Sequence, residues 1–96
     1  MATTQTVASG SVAAADSFVG PIAALHGRFD VGISGTFSAT VTVQRRPYGS
    51  ESAWRDVEAF TEAVERTGYS AGAWEVRAGC KAGGYTSGTA VIDLRA

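Results

Sequence analysis

The feature that most constrains the fold is a strict alternation of apolar and polar residues between positions 29 and 44. One parity holds the apolar residues Phe29, Val31, Ile33, Phe37, Ala39, Val41 and Val43, and the other holds Asp30, Ser34, Ser38, Thr40, Thr42 and Gln44. A period of two is typical of strands with one face on a core and the other in water. Gly35-Thr36 separates the two runs, and a glycine accepts the positive φ of a tight turn. The pattern predicts a half-buried β-hairpin whose hydroxyl-rich face meets water.

Further segments alternate in the same way. Apolar residues recur at every second position from Trp74 to Cys80 and again from Ala90 to Leu94, with turn-forming residues between the segments. Phe18-Val19 indicates a short strand that Gly20-Pro21 would end. Short strands at a spacing of roughly ten residues, separated by turns, predict an all-β fold. We expect an antiparallel β-sandwich of immunoglobulin-like or jelly-roll-like form, with an extended N-terminal arm.

Positions 53–66 are ambiguous by pattern. Trp54, Val57, Phe60 and Val64 fall near helical spacing, and the neighbouring residues tolerate a helix. The segment lacks the Ser, Asp or Asn followed three residues later by Glu or Gln that marks a helix start. The residues alone therefore allow a helix or two short strands joined near Thr61-Glu62.

The small size of the chain favours a component of an assembly. A chain of 96 residues is one domain, 1–96, which we divide into an N-terminal arm, 1–17, and a β-sandwich core, 18–96. So small a domain gains from a partner subunit.

The net charge of -1 argues against nucleic-acid or membrane binding. Residues 2–16 contain one charge, Asp16, and either pair with a sheet edge, here or in a neighbouring subunit, or fray.

The chain has few residues suited to cofactor, metal or redox chemistry. Cys80 is the only cysteine and His26 the only histidine, so neither an intrachain disulfide nor a zinc site of four Cys or His ligands can form. We therefore expect no cofactor and no metal. The first five residues lack the basic start and apolar run of a signal peptide, so we expect assembly in the cytoplasm rather than secretion by a signal peptide.

Catalysis is not expected either. Residues 68–72 match the pattern Gly-x-Ser-x-Gly around Ser70, but this nucleophile elbow needs a following helix and a downstream histidine. The residues after Gly72 indicate a strand instead of a helix. His26, the only histidine, lies upstream of Ser70, and we interpret it as a turn residue. Cys80 would be a reactive thiol if Arg77 and Lys81 lowered its pKa, whereas its parity with Val76 indicates a small buried apolar residue. We expect a non-enzymatic protein with no catalytic residue.

A surface group is the better candidate for function. The carboxylates between Glu51 and Glu65 lack the spacing of a calcium loop and indicate a solvated face. Arginine and aromatic residues dominate protein-binding hot spots, although a tryptophan is equally suited to a core. The candidate interface residues are Arg45, Arg46, Tyr48 and Trp54, together with Val7 and Val12 of the arm.

Three segments in order carry a resemblance to a known family. They are Ser34–Arg45 (S-G-T-F-S-A-T-V-T-V-Q-R), Ala53–Thr61 (A-W-R-D-V-E-A-F-T), and Cys80 followed by Tyr85–Ala90 (Y-T-S-G-T-A). The chain from Arg28 onward, about two-thirds of the whole, resembles small β-sandwich virion proteins of tailed phages and prophages. The resemblance implies strands at Trp54–Phe60 and Val64–Tyr69 in place of a helix. The chain departs from the family pattern at 46–52 and 81–84, which are loops where partner contacts vary.

The resemblance implies a non-enzymatic structural component of a phage or phage-like particle. A head decoration or capsid-stabilising protein is the role we expect, bound to the major capsid protein or another virion protein. Homo-oligomers, trimers among them, are expected as well, with localisation in the virion after assembly in the host cytoplasm. The alternative is a carbohydrate- or receptor-binding module on a tail or fibre, with Tyr48, Tyr69 and Tyr85 as stacking platforms.

Overall fold

The computed structural model describes residues 7–25, 27–49, 51, 53–69 and 71–96. Within these ranges the chain forms ten β-strands and no helix. The strands are β1 (Val7–Val12), β2 (Ser17–Ala24), β3 (Arg28–Ser34), β4 (Phe37–Ala39), β5 (Val41–Pro47), β6 (Arg55–Phe60), β7 (Val64–Tyr69), β8 (Trp74–Cys80), β9 (Tyr85–Gly88) and β10 (Ala90–Arg95).

The strands form two four-stranded antiparallel sheets and a two-stranded one. The first sheet has the order β1-β10-β3-β7, the second has the order β2-β8-β5-β6, and β4 pairs with β9. The molecule measures 41 × 30 × 16 Å along its principal axes, and the shortest dimension fits two stacked sheets. The prediction of an all-β sandwich is therefore confirmed. Among the described residues, no helix has the length and hydrophobicity to cross a membrane.

One core joins the two sheets. Its buried apolar side chains come from both sheets: Val12, Phe29, Val31, Ile33, Ala90, Ile92 and Leu94 from the first, and Val19, Ile22, Ala24, Val41, Val43, Phe60, Val76, Ala78 and Cys80 from the second. Five residues of the apolar parity between Phe29 and Val43 belong to this core, and the other two, Phe37 and Ala39, are half-buried and pack against it, so this parity faces inward as the alternation predicts. Burial of this set provides the main driving force for stacking the sheets.

The predicted hairpin around Gly35-Thr36 is wrong. β3 pairs with β10 and β7, whereas β4 pairs with β9 and β5 pairs with β8 and β6. Gly35 has φ +97°, and a Cβ there would lie 2.5 Å from the Thr89 carbonyl oxygen, so the chain passes close to the start of β10 as it leaves the first sheet. Alternation fixes which face of a strand is buried but does not fix its neighbour, which explains the error.

The strands expected from positions 54 to 69 are confirmed as β6 and β7, which lie in different sheets. The short connection at 61–63 therefore crosses from the second sheet to the first. β2 corrects another expectation, because it continues past Gly20-Pro21 instead of ending there. Its pairing with β8 shifts register between Val19 and Ile22, and the Gly20-Pro21 peptide bond is cis.

The described part of the N-terminal arm belongs to the sandwich. β1 pairs with β10 over its full length, from Val7 opposite Arg95 to Val12 opposite Ala90. Val12 is 1% exposed and lies in the core. Of the alternatives for the arm, pairing with a sheet edge of the same chain is therefore confirmed for 7–12, and this segment is not a frayed tail. Residues 1–6 of the predicted arm lie outside the described residues.

Candidate interaction site

The outer face of the second sheet carries polar and aromatic side chains in register. Thr42, Gln44 and Arg46 of β5 share this face, and they lie opposite Gly79, Arg77 and Glu75 of β8. On the next strand, Asp56 of β6 lies opposite Gln44. Directly opposed residues in an antiparallel sheet have their side chains on the same face and within reach of each other. The register therefore brings together residues that are far apart in sequence.

Two guanidinium groups and two aromatic rings form one cluster on this face. The Arg77 Cζ atom lies 4.0 Å from the centroid of the Phe18 ring and 4.4 Å from that of the Trp54 ring. The Arg46 Cζ atom lies 4.5 Å from the Trp54 ring centroid. Each distance is within the range of about 6 Å for cation–π attraction. We call Phe18, Arg77, Trp54 and Arg46 the guanidinium–aromatic cluster.

A hydrogen-bonded network holds the cluster in place. Arg77 Nε donates to Gln44 Oε1 at 2.9 Å, and Gln44 Nε2 donates to Asp56 Oδ1 at 2.8 Å. Lys81 Nζ donates to Asp56 Oδ2 at 2.6 Å. Arg46 Nε donates to Glu75 Oε1 at 2.9 Å. Gln44 thus links the Arg77 guanidinium to the Asp56 carboxylate, and each end of its amide has a partner.

The network sets the electrostatics of the face. Hydrogen bonds from Lys81 and then Gln44 lower the pKa of Asp56, so this carboxylate stays ionised into the acid range. Burial, and then the nearby Arg46 guanidinium, lower the pKa of Arg77, whereas Asp16 acts in the opposite direction. The guanidinium of Arg77 bonds an uncharged amide rather than a carboxylate, which leaves its positive charge less compensated than that of Arg46 or Lys81.

A glycine opposite Phe18 makes room for the ring. Phe18 of β2 lies opposite Gly79 of β8, and a Cβ on Gly79 would clash with the Ser17 carbonyl oxygen and lie 2.6 Å from the Phe18 Cα. It would also lie 2.9 Å from Cδ2 of the Phe18 ring. The ring therefore lies against the sheet backbone, where Arg77 packs on it. Only glycine at this position allows so close an approach.

This face departs from the water-exposed surface that the alternation predicts. Thr42 and Gln44 are both buried, and Gln44 is 6% exposed, although both belong to the polar parity. The guanidinium–aromatic cluster and the hydrogen bonds of Gln44 account for the difference, because the long side chains of the neighbouring strands cover β5. Arginine covers apolar and polar surface alike with its alkyl stem while its charged end stays near water.

The predicted interface residues separate into two regions. Arg46 and Trp54 belong to the cluster. Arg45 lies opposite the buried Val76 and therefore has the parity of the other face, where its Cζ atom lies 4.3 Å from the Trp74 ring centroid. Tyr48 follows β5, and its side chain is 54% exposed while its backbone N–H donates to the Ala73 carbonyl. Of these four, the structure brings Arg46 and Trp54 into contact and places Arg45 on the other face of the sheet.

The two valines of the arm are not part of that group. Val7 is exposed at the edge strand β1 of the first sheet. Val12 does not fit the predicted interface role, because its side chain lies in the core and is not available to a neighbouring subunit. Sequence reasoning missed Phe18, Gln44 and Arg77. The alternation placed Gln44 and Arg77 on outward parities, but only the pairing of β5 with β8 makes them neighbours.

The three tyrosines proposed as a sugar-stacking platform do not lie together. Tyr48 follows the last residue of β5, whereas Tyr85 lies opposite Ala39, just before the first residue of β5. The length of that strand separates them by roughly 20 Å. The Tyr85 hydroxyl also donates to the Gly88 carbonyl at 2.8 Å. Tyr69 ends β7 in the other sheet.

The candidates for catalysis and metal binding gain no support. Ser70 and His26 lie outside the described residues, and the strands β7 and β8 flank position 70 where an elbow needs a helix on its C-terminal side. Cys80 is fully buried, and burial raises the pKa of its thiol, which confirms the expectation of a small buried residue. Among the described side chains, no group of three or more His, Cys, Asp or Glu is arranged to hold a metal ion.

Comparison with known proteins returned no family model, no curated protein and no solved structure that matches this chain.

Proposed function

We propose that this chain is a non-enzymatic structural component of a phage or phage-like particle, a head decoration or capsid-stabilising protein that binds neighbouring virion subunits. The observation that carries the proposal is the guanidinium–aromatic cluster, together with the exposed ring of Tyr48, which follows Arg46 by two residues. The particle itself is suggested by the resemblance of the segments from Ser34 to Ala90 to small virion proteins.

The cluster suits protein binding because its side chains are already ordered. Trp54 contacts two guanidinium groups, and Arg77 is held by Gln44, so little rotamer freedom remains to be lost on association. Tryptophan, tyrosine and arginine are the residues that contribute most at the centres of interfaces. Among the described residues, no carboxylate forms a hydrogen bond or ion pair with the Arg77 guanidinium, so a carboxylate of the partner would be able to bond it.

The mode of action is stabilisation by mass action. A module that binds the assembled shell better than free subunits shifts the equilibrium toward the shell, and many symmetric copies multiply a modest affinity per site. A small binding domain suffices for this role. The net charge of -1 is compatible with a protein partner and unsuited to binding the packaged nucleic acid directly.

Particle occupancy tests the proposal. A tagged copy is expressed in the host that makes the particle, the particles are banded on a density gradient, and the tag is quantified against the major capsid protein. We expect the wild-type chain to band with particles and Tyr48→Ala to show reduced occupancy, because this exposed ring contacts the partner without supporting the fold.

Val91→Ala is the matched control, since Val91 is an exposed apolar residue on the first sheet. Its occupancy should equal that of the wild type. Absence of the wild-type chain from banded particles would overturn the proposed function. If Tyr48→Ala and Trp54→Phe each kept full occupancy, the contact with the particle would have to lie elsewhere than on the second sheet. A glycan array serves as the discriminating assay for the tail or fibre alternative, because a decoration protein should bind no sugar on it.

A further inference from the structure

The free edges of the two sheets are unequal. Among the strands formed by the described residues, β1 and β7 are the edges of the first sheet, and β2 and β6 are those of the second. β2 is irregular between Val19 and Ile22, where Pro21 lacks a backbone N–H. The pairing of β6 shifts register next to Val57. Both devices discourage addition of another strand. β7 pairs with β3 in regular register from end to end, so its free edge presents unbroken backbone donors and acceptors.

The side chains of β7 divide by parity into two faces. Glu65, Thr67 and Tyr69 lie on the outer face of the first sheet, opposite Gly32, Asp30 and Arg28 of β3. Arg66 and Gly68 have the inward parity. Tyr69 is 69% exposed, the largest value among the exposed large apolar residues, at the end of an unpaired edge. A buried environment for this ring requires a partner beyond the edge.

A second copy of β7 fits this edge in one register. In an antiparallel pair related by a two-fold axis, opposed residues share a face, so the axis must pass through a residue of the strand. An axis at Glu65 opposes two carboxylates, and an axis at Arg66 opposes two guanidinium groups, both of which are unfavourable.

An axis at Thr67 opposes no like charges. It places Thr67 opposite Thr67 of the second copy, Arg66 opposite Gly68, and Glu65 opposite Tyr69. An axis at Gly68 would pair only the last three residues of the strand. Glu65 and Arg66 disfavour the other registers and therefore select the register with the axis at Thr67. The other edge strand of this sheet, β1, has no charged residue that would select a register in this way.

We propose that two copies of the chain associate through their β7 strands, antiparallel and with the two-fold axis at Thr67, so that the first sheets of both copies join into one sheet of eight strands. The occupant of the edge is thus a second copy of this chain. The proposal specifies a two-fold dimer for the expected homo-oligomer, and it does not depend on the proposed role in a particle.

A depression beside β7 accommodates the second copy's Tyr69. It has a volume of about 400 Å³ and is lined by Asp30, Glu65, Thr67 and Asp93 among others. Its floor includes Gly32, where an added Cβ would have only the Asp93 Cβ near it, at 3.9 Å. In the proposed register Tyr69 of the second copy lies opposite Glu65, about two strand spacings or roughly 10 Å from β3. The Asp30, Glu65 and Asp93 carboxylates that line the depression would accept a hydrogen bond from its hydroxyl group.

Cysteine cross-linking of the full chain tests the register directly. Opposed Cα atoms in antiparallel strands are about 4.5–5.5 Å apart, which suits a disulfide. We expect Thr67→Cys to form a disulfide-linked dimer on mild oxidation, because the two cysteines face each other across the axis. Glu65→Cys and Tyr69→Cys should each form no disulfide-linked dimer when oxidised alone, and an equimolar mixture of the two should cross-link.

The wild-type chain is the control, since its buried Cys80 should not cross-link in the folded state. Failure of Thr67→Cys to cross-link, or self-linkage of Glu65→Cys or Tyr69→Cys as fast as that of Thr67→Cys, would overturn the register.

Sedimentation velocity over a concentration series tests the association without a covalent bond. The wild type should shift toward twice the monomer mass as concentration rises. Thr67→Glu and Thr67→Lys should each lose the shift, because like charges then meet at the axis, and their equimolar mixture should recover it. Thr67→Gln, which is uncharged, should retain it. A wild type that stays monomeric at every concentration, or a mixture that stays monomeric, would contradict the proposed dimer. Particle occupancy of Thr67→Glu would report separately on the proposed function.

Discussion

Two glycines in strand interiors leave space that neighbouring aromatic rings occupy. Gly79 lies opposite Phe18 on the outer face of the second sheet, and Gly68 lies opposite Phe29 on the inner face of the first. A Cβ on Gly68 would clash with the Phe29 ring, and one on Gly79 would clash with the backbone of β2. Glycine usually weakens a strand, so its presence in these two strands reflects the packing of the opposite residue.

Replacing Gly79 by alanine should destabilise the protein. The added methyl group has no space beside the Ser17 carbonyl and the Phe18 backbone, so β2 must move away from β8. We expect a loss of about 1–3 kcal/mol in the free energy of unfolding, the usual range for overpacking. Urea denaturation followed by far-ultraviolet circular dichroism measures it. Gly32→Ala is the matched control, since its Cβ makes only an ordinary contact, and its effect should stay within about 0.5 kcal/mol. Equal effects of the two substitutions would contradict the close approach at Gly79.

Asp56 should make stability depend on pH in the acid range. Its pKa is lowered from the ordinary value of 3.8 by the hydrogen bonds from Lys81 and Gln44. A carboxylate whose folded-state pKa is depressed binds protons less readily when folded, so its contribution is present above about pH 4 and is lost as the pH falls through the folded-state pKa. The difference in stability between the wild type and Asp56→Asn should therefore shrink as the pH falls below 4. A stability difference between the two proteins that stays constant between pH 6 and pH 2.5 would contradict this expectation. Glu62→Gln, which removes the charge of an exposed carboxylate, is the control.

At the scale of elements, the sequence predicts strands better than it predicts their partners. The inward parity of β3, β5, β8 and β10 follows directly from alternation, because burial of one face is a local property of each strand. Pairing is not local, and so the hairpin at Gly35-Thr36 was wrong and the crossing at 61–63 was not foreseen. For the candidate site the same limit applies. Arg46 and Trp54 stand out by residue type, but Arg77 joins them only through the register of β5 with β8.

Gln44 connects the strands of the second sheet, so its removal should weaken the whole face. In Gln44→Met the side chain keeps its length, but Arg77 Nε and Asp56 Oδ1 each lose a hydrogen-bond partner in a partly buried setting. We expect a loss of about 1–3 kcal/mol in the free energy of unfolding. Thermal and urea unfolding both measure it. Thr86→Val, at an exposed position of β9, is the control and should be nearly neutral. A stabilised Gln44→Met protein would show that the apolar gain outweighs the lost hydrogen bonds.

At the scale of the whole molecule, the N-terminal strand is part of the same folding unit as the rest. β1 covers the edge of β10 and packs against β2, where a Cβ on Gly10 would lie 3.2 Å from a methyl group of Val19. The first and second sheets therefore share side-chain contacts at this side of the sandwich. Both tryptophans, Trp54 and Trp74, lie on or beside the second sheet, so their fluorescence reports on the sheet that does not contain β1.

Val12→Ala should destabilise both sheets equally. The side chain is 1% exposed and lies in the core that joins the sheets, and its truncation should lower the free energy of unfolding by about 2 kcal/mol. Because the core is shared, tryptophan fluorescence and circular dichroism should report coincident transitions in urea, shifted together. Val7→Ala, at the exposed end of the same strand, should shift neither by more than about 0.5 kcal/mol. If the fluorescence transition of Val12→Ala stayed at the wild-type position while the circular dichroism transition moved, the first sheet would unfold separately, and β1 would be an appendage rather than a structural strand of the sandwich.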